Sequence, residues 1–178
     1  MHQPRARLGD LPPGPDPDLY GQLATETGPD RRREEAFDAA WRFLAHRDRT
    51  EAEVRARLQR NDVEPELIDE VLEVLIEGRY IDDAAFARRF AEDRRNLDGW
   101  GNERIERRLL ELGVAREHIR AALGDHDELG AACELLARRF PTPPDTPRDL
   151  ERALGFLVRK GYELELAHDA LRRHAAAD

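Results

Sequence analysis

The chain has 178 residues, 38% of them charged and 6% aromatic, and a formal net charge of −9. The acidic balance argues against a general nucleic-acid coat, which needs a net basic surface, and the single cysteine, Cys133, excludes an intramolecular disulfide framework. Ala, Leu, Arg and Glu dominate, all good helix formers, so the composition suits narrow helices with long charged faces rather than one thick core.

Residues 1–30 read as a flexible Pro/Gly-rich tail, with Pro4, Pro12, Pro13, Pro15, Pro17 and Pro29 interleaved with Gly9, Gly14, Gly21 and Gly28. The first residues contain no apolar run of signal-peptide character, and no stretch approaches a membrane span, so a cytoplasmic location is expected. From Arg31 the pattern changes. Phe37, Trp41 and Leu44 recur at helical spacing, and Arg31 to Arg47 contains no Gly or Pro. Thr50 with Glu53 forms a capping box that opens a second helix carrying Val54 and Leu58. Asn61 and Asp62 tolerate the left-handed backbone that ends it. A third helix follows, with Pro65 in its first turn and Leu67, Ile68, Val71, Leu72 and Leu75 inside.

The pattern then returns. Val54, Leu58, Val63, Ile68 and Leu72 reappear 51 residues later as Ile105, Leu109, Val114, Ile119 and Leu123, and 48 residues after that as Ala153, Leu157, Tyr162, Ala167 and Leu171. The turn residue is Asp62, then Gly113, then Gly161. The first helix of each unit shows as Phe37/Trp41/Leu44, Phe86/Phe90 and Leu135/Leu136/Phe140. Fixed self-similarity at this period is the mark of a stacked helical array. The expected fold is therefore all-α: three tandem three-helix, helix-turn-helix-like repeats over 31–77, 78–124 and 125–174, forming an elongated curved array behind the tail. The links between first and second helices differ: a short one ending at Thr50, then Asn96 to Gly101 with Trp100 between Gly99 and Gly101, then Pro141 to Pro147 with Thr146 and Asp149 as a capping sequence.

No catalytic constellation stands out. There is no serine, no phosphate-binding Gly-rich loop and no zinc-type His pairing, so neither catalytic residues, nor a metal, nor a cofactor is expected. Asp125, His126, Asp127 and Glu128 read as an exposed acidic loop. Cys133 lies on an apolar face with Leu136 and Phe140 as a structural thiol. Asp82 and Asp83 read as an N-cap and a first-turn acid for the helix of Phe86. The binding candidates are arginines of the middle unit: Arg88, Arg89, Arg94, Arg95, Arg104, Arg107 and Arg108. Spacing puts them away from the apolar stripe, on a solvent-facing surface suited to carboxylates or phosphates.

Three stretches carry a family resemblance: Ala40-Trp41-Arg42-Phe43-Leu44-Ala45-His46-Arg47 leading to Thr50; Gly78-Arg79-Tyr80-Ile81-Asp82-Asp83-Ala84-Ala85-Phe86-Ala87; and Gly99-Trp100-Gly101 followed by Ile105, Leu109, Gly113 and Val114. At these residues the chain resembles the RecX family, regulators of the bacterial recombinase RecA, strongly from Glu34 to Leu123 and weakly beyond. The resemblance implies an array that lodges in the groove of a RecA–DNA filament, restrains filament growth, and lowers ATP hydrolysis and strand exchange in recombination and DNA repair, with no catalytic residues of its own. The implied partners are RecA and the RecA–single-stranded DNA filament, with weak DNA contact at most, no membrane, and a monomeric state. The family's turn glycine in the first repeat is Asp62 here. Two other readings of the residues stay open: a helix-turn-helix DNA-binding protein, and a generic helical interaction scaffold.

Overall fold

The computed structural model describes residues 29–124 and 126–176; the tail reading, apart from its last two residues, and Asp125 lie outside them. The described residues form nine helices and no strand: α1 (Pro29–Leu44), α2 (Glu51–Gln59), α3 (Pro65–Glu77), α4 (Asp83–Asp98), α5 (Asn102–Glu111), α6 (Arg116–Leu123), α7 (Glu128–Arg139), α8 (Pro147–Lys160) and α9 (Leu164–Ala176). None is long and apolar enough to cross a membrane.

Each helix packs mainly within its own triplet, giving three separate cores; in the third, α7 and α8 both pack on α9. The first holds Phe37, Val54, Leu58, Ile68 and Leu75, and still takes in Tyr80 and Ile81 ahead of α4. The second centres on Phe86, Ile105, Leu109 and Ile119, and the third on Leu136, Leu157, Tyr162 and Leu171. Leu58, Leu109 and Leu157 occupy equivalent places and are each 0% exposed. Burying a leucine fully contributes roughly 1.5–3 kcal/mol, so each core rests on a handful of such side chains.

Local signals set the helix ends. Thr50 accepts from the Glu53 N–H while the Glu53 carboxylate accepts from the Thr50 N–H, completing the capping box. Pro65 opens α3, and Thr146 caps α8 by accepting from the Asp149 N–H. The turn between second and third helices has positive φ in all three triplets: 56° at Asp62, 79° at Gly113 and 91° at Gly161. One link departs from expectation: α4 runs through Asn96 and Leu97 to Asp98, so only Gly99–Gly101 connects it to α5. Gly99, at φ 63°, closes α4 in the left-handed conformation.

The triplets are joined twice by the same device. The N-terminus of a second helix carries unpaired N–H groups, and the following triplet supplies their acceptors. At the first joint Asp83 accepts from the Glu51 N–H at 3.0 Å, and the Thr50 hydroxyl donates to the Leu112 carbonyl at 2.7 Å. At the second, Glu128 accepts from the Asn102 N–H and side-chain amide, both at 2.7 Å, and the Gly101 N–H donates to the Lys160 carbonyl at 2.9 Å. Lys160 Nζ returns a bond to the Asp98 carbonyl at 2.6 Å. Glu128 is thus no part of an exposed acidic loop; it is half-buried in the joint, while Asp127 accepts from the Gly130 N–H to cap α7.

Burial pushes both joint carboxyls up from their ordinary values, against the lowering effect of the N–H bonds they accept. The native state therefore binds these protons more tightly than the unfolded chain. The cost of the buried charge is present in full at neutral pH and disappears as pH falls through the raised native value. Glu128→Gln keeps an acceptor for the Asn102 N–H, gives up the bond from the Asn102 side-chain amide, and removes that charge. Its melting temperature minus that of wild type should be highest at pH 7 and fall towards pH 4.5, as wild type takes up the proton; thermal melts across that range check it. A difference that rises on acidification would overturn the assignment.

Candidate functional site

The seven candidate arginines do not form one surface. Arg88, Arg89, Arg107 and Arg108 are exposed, as their spacing suggests. Arg94, Arg95 and Arg104 are drawn inward to half-buried positions. Arg95 reaches the Asn102 side-chain oxygen at 2.9 Å and the Ala122 carbonyl at 3.4 Å, tying α4 to α5 and α6, and burial lowers its pKa. Arg104 donates to the Arg159 carbonyl at 3.1 Å across the second joint and lies 4.2 Å from the centroid of Trp100. Arg94 pairs with Asp98 at 2.6 Å and covers both Phe90 and Trp100, at 5.1 and 5.3 Å. The physical reason is the narrowness of the array. A helix face turned away from its own core still meets a link, the ends of its sister helices or the next triplet.

The arginine-on-aromatic contact recurs. Arg49 sits 3.9 Å over Phe43, Arg104 over Trp100, and Arg152 5.6 Å over Phe140, each beside the link between the first and second helices of its triplet. Such stacking lets a guanidinium cover apolar surface while keeping its donors free for a carbonyl or carboxylate.

Three of the seven, Arg89, Arg94 and Arg108, converge on a groove of about 950 Å³ between the first and second triplets. Arg47 of the first triplet completes its rim, a residue that the spacing of the middle unit alone could not bring in. Phe86, Phe90, Trp100 and Leu112 supply its apolar lining, and Asp48 and Asp93 its carboxylates. Arg89 pairs with Asp48 at 2.8 Å and Arg108 with Glu111 at 2.7 Å, all four side chains being at least half exposed. Exposed pairs of this kind contribute little, about 0–1 kcal/mol, and exchange readily. Arg88 and Arg107 lie outside the groove lining.

No group of three or more His, Cys, Asp or Glu side chains suited to a metal occurs among the described residues. Cys133 is half-buried in the third core, its thiol 3.9 Å from the Ala170 carbonyl, and burial pushes its pKa up, away from reactivity. Asp82 caps α4 by accepting from the Ala85 N–H at 2.8 Å, as expected, and Asp83, the acid in its first turn, also serves the preceding triplet.

Comparison with known proteins places these triplets. Residues 36–75 match the model of the RecX first three-helix domain, and residues 82–123 that of its second. The regulatory protein RecX of Deinococcus radiodurans is 32% identical over 98% of this chain and 84% of its own length. That of Chromohalobacter salexigens is 34% identical over 75% of this chain and 89% of its own. The crystal structure of RecX from Lactobacillus salivarius superposes with a TM-score of 0.71 at 22% identity, covering 82% of this chain and 98% of that one.

Proposed function

The chain belongs to the RecX family of regulatory proteins, and we propose that it acts on a RecA–single-stranded DNA filament, restraining subunit addition and ATP hydrolysis. The observation that carries this reading is the arginine-rimmed, aromatic-lined groove between two triplets of a tandem array. Three linked triplets with separate cores offer several faces for contact with more than one subunit of a polymer, and contact across subunits opposes the movements that accompany hydrolysis. Arg88, Arg89, Arg107 and Arg108 supply the exposed contacts to acidic side chains or phosphate. Arg94, Arg95 and Arg104 hold the surface in shape. The role is that of a regulator rather than an enzyme, and it is exercised in the cytoplasm, where such filaments form.

The experiment is direct. Purified chain is titrated into RecA assembled on single-stranded DNA, and ATP hydrolysis is followed. The rate should fall in a saturable way, and filament extension should slow with it. Hydrolysis that stays unchanged at saturating protein would remove the reading.

A further inference from the structure

We propose that the groove between the first two triplets holds a short acidic peptide segment with one large apolar side chain, presented by a protein partner. The proposal rests on the reading of the chain as a regulator of another protein and adds the chemistry of the segment it grips.

The orientation of the guanidiniums points first to carboxylates. In a chain of net charge −9, the groove gathers Arg47, Arg89, Arg94 and Arg108 with Asp48 and Asp93 in its lining, and each arginine holds a carboxylate of the chain, Glu53, Asp48, Asp98 and Glu111 respectively. Arg89 and Arg108 already hold carboxylates at 2.8 and 2.7 Å, so their guanidiniums are placed and oriented for that geometry. Both existing pairs are exposed enough for an incoming carboxylate to replace them.

The lining then separates a peptide from a nucleic acid. A single strand binds such a surface by stacking its bases on aromatic faces while cations track its phosphates. Here Trp100 is already covered by the guanidiniums of Arg94 and Arg104, and Phe90 by that of Arg94. A base must displace a cation to stack. Asp48 and Asp93 would also face a polyanion carrying no N–H groups in its backbone to satisfy them. A peptide meets each feature. Its carboxylates take Arg89 and Arg108, its backbone N–H groups donate to Asp48 or Asp93, and one apolar side chain covers Phe86 and Leu112.

The test uses the full chain and a fluorescein-labelled, glutamate-rich peptide of about 12 residues with one central phenylalanine, followed by anisotropy. Binding should be saturable. Arg89→Ala with Arg108→Ala should weaken it about tenfold, as loss of two charge-assisted contacts implies. Arg60→Ala with Arg120→Ala, the same charge change outside the groove, should alter it less than about twofold. Replacing the peptide's phenylalanine by alanine should also weaken binding. Absence of saturable binding, indifference to the Arg89/Arg108 change, or tighter binding of labelled oligo(dT) through the same two arginines would each overturn the proposal. The Arg89/Arg108 variant is also added to the RecA filament. If wild type restrains hydrolysis and the variant does so equally, the groove falls while the regulator reading stands. If wild type binds peptide yet leaves hydrolysis untouched, the regulator reading falls alone.

Discussion

Gly113→Ala should cost the protein about 3 kcal/mol, and adding Ala52→Gly should return a third to a half of it. Two terms make up the loss. At φ 79° a residue with a Cβ sits in the left-handed region, which costs roughly 1–2 kcal/mol. The new Cβ also falls inside contact distance of the Ala52 side chain, because this turn of the second triplet presses on the first turn of α2. Overpacking of that kind typically costs about 1–3 kcal/mol. Ala52→Gly removes only the second term, and its own helix penalty is about 0.5–1 kcal/mol. The four proteins of the cycle, compared by urea unfolding, should therefore show a coupling of about 1.5–2.5 kcal/mol. Simple additivity would mean that the turn does not bear on α2 and that the joint is looser than described. Asp62 tolerates the same backbone at φ 56° because aspartate suits the left-handed region and no preceding triplet packs against its turn.

This contrast shows how far the residues alone lead. Offsets of 51 and 48 recover the cores because side chains at helical spacing report burial against their own triplet. Of the fifteen positions so aligned, only Val63 and Leu123 stay partly exposed. The caps at Thr50 and Thr146 and the positive-φ turns are equally legible, since each is a local matter of backbone and neighbouring side chain. What escapes is everything that acts between triplets. Asp83 sits where a first-turn acid belongs, and local reasoning stops there. Its partner, the Glu51 N–H, lies 32 residues earlier. Glu128 looks like one more acid in a polar run, yet it stands at the start of α7 just as Asp83 stands at the start of α4. That recurrence was the available signal. The arginines misled for a related reason: a helical wheel divides a helix into core and solvent, whereas Arg94 covers the link of its triplet, Arg95 bridges to the other two helices of its triplet, and Arg104 reaches the next triplet.

Separate cores and repeated joints also fix how the array should fail. Leu109→Ala and Leu157→Ala each truncate a leucine with no exposed surface, and each should cost about 3 kcal/mol, within the 2–5 kcal/mol range for such changes. Their reach should differ. Leu157 belongs to the last triplet, which is held by one joint, so its loss should open α7–α9 and leave the amides of α1–α3 as protected from hydrogen exchange as before. Leu109 belongs to the middle triplet, whose first helix supplies Asp83 to the joint before it and whose second helix receives Glu128 from the joint after it. Loosening that core releases both joints, and protection should fall in all three triplets. In a one-dimensional array the penalty of a defect depends on how many interfaces it touches. Uniform loss of protection after Leu157→Ala would instead make the chain one cooperative unit with joints stronger than its cores. The distinction reaches the groove. It is built from the first two triplets, so Leu157→Ala should preserve it and Leu109→Ala, which undercuts Phe86 and Leu112, should not.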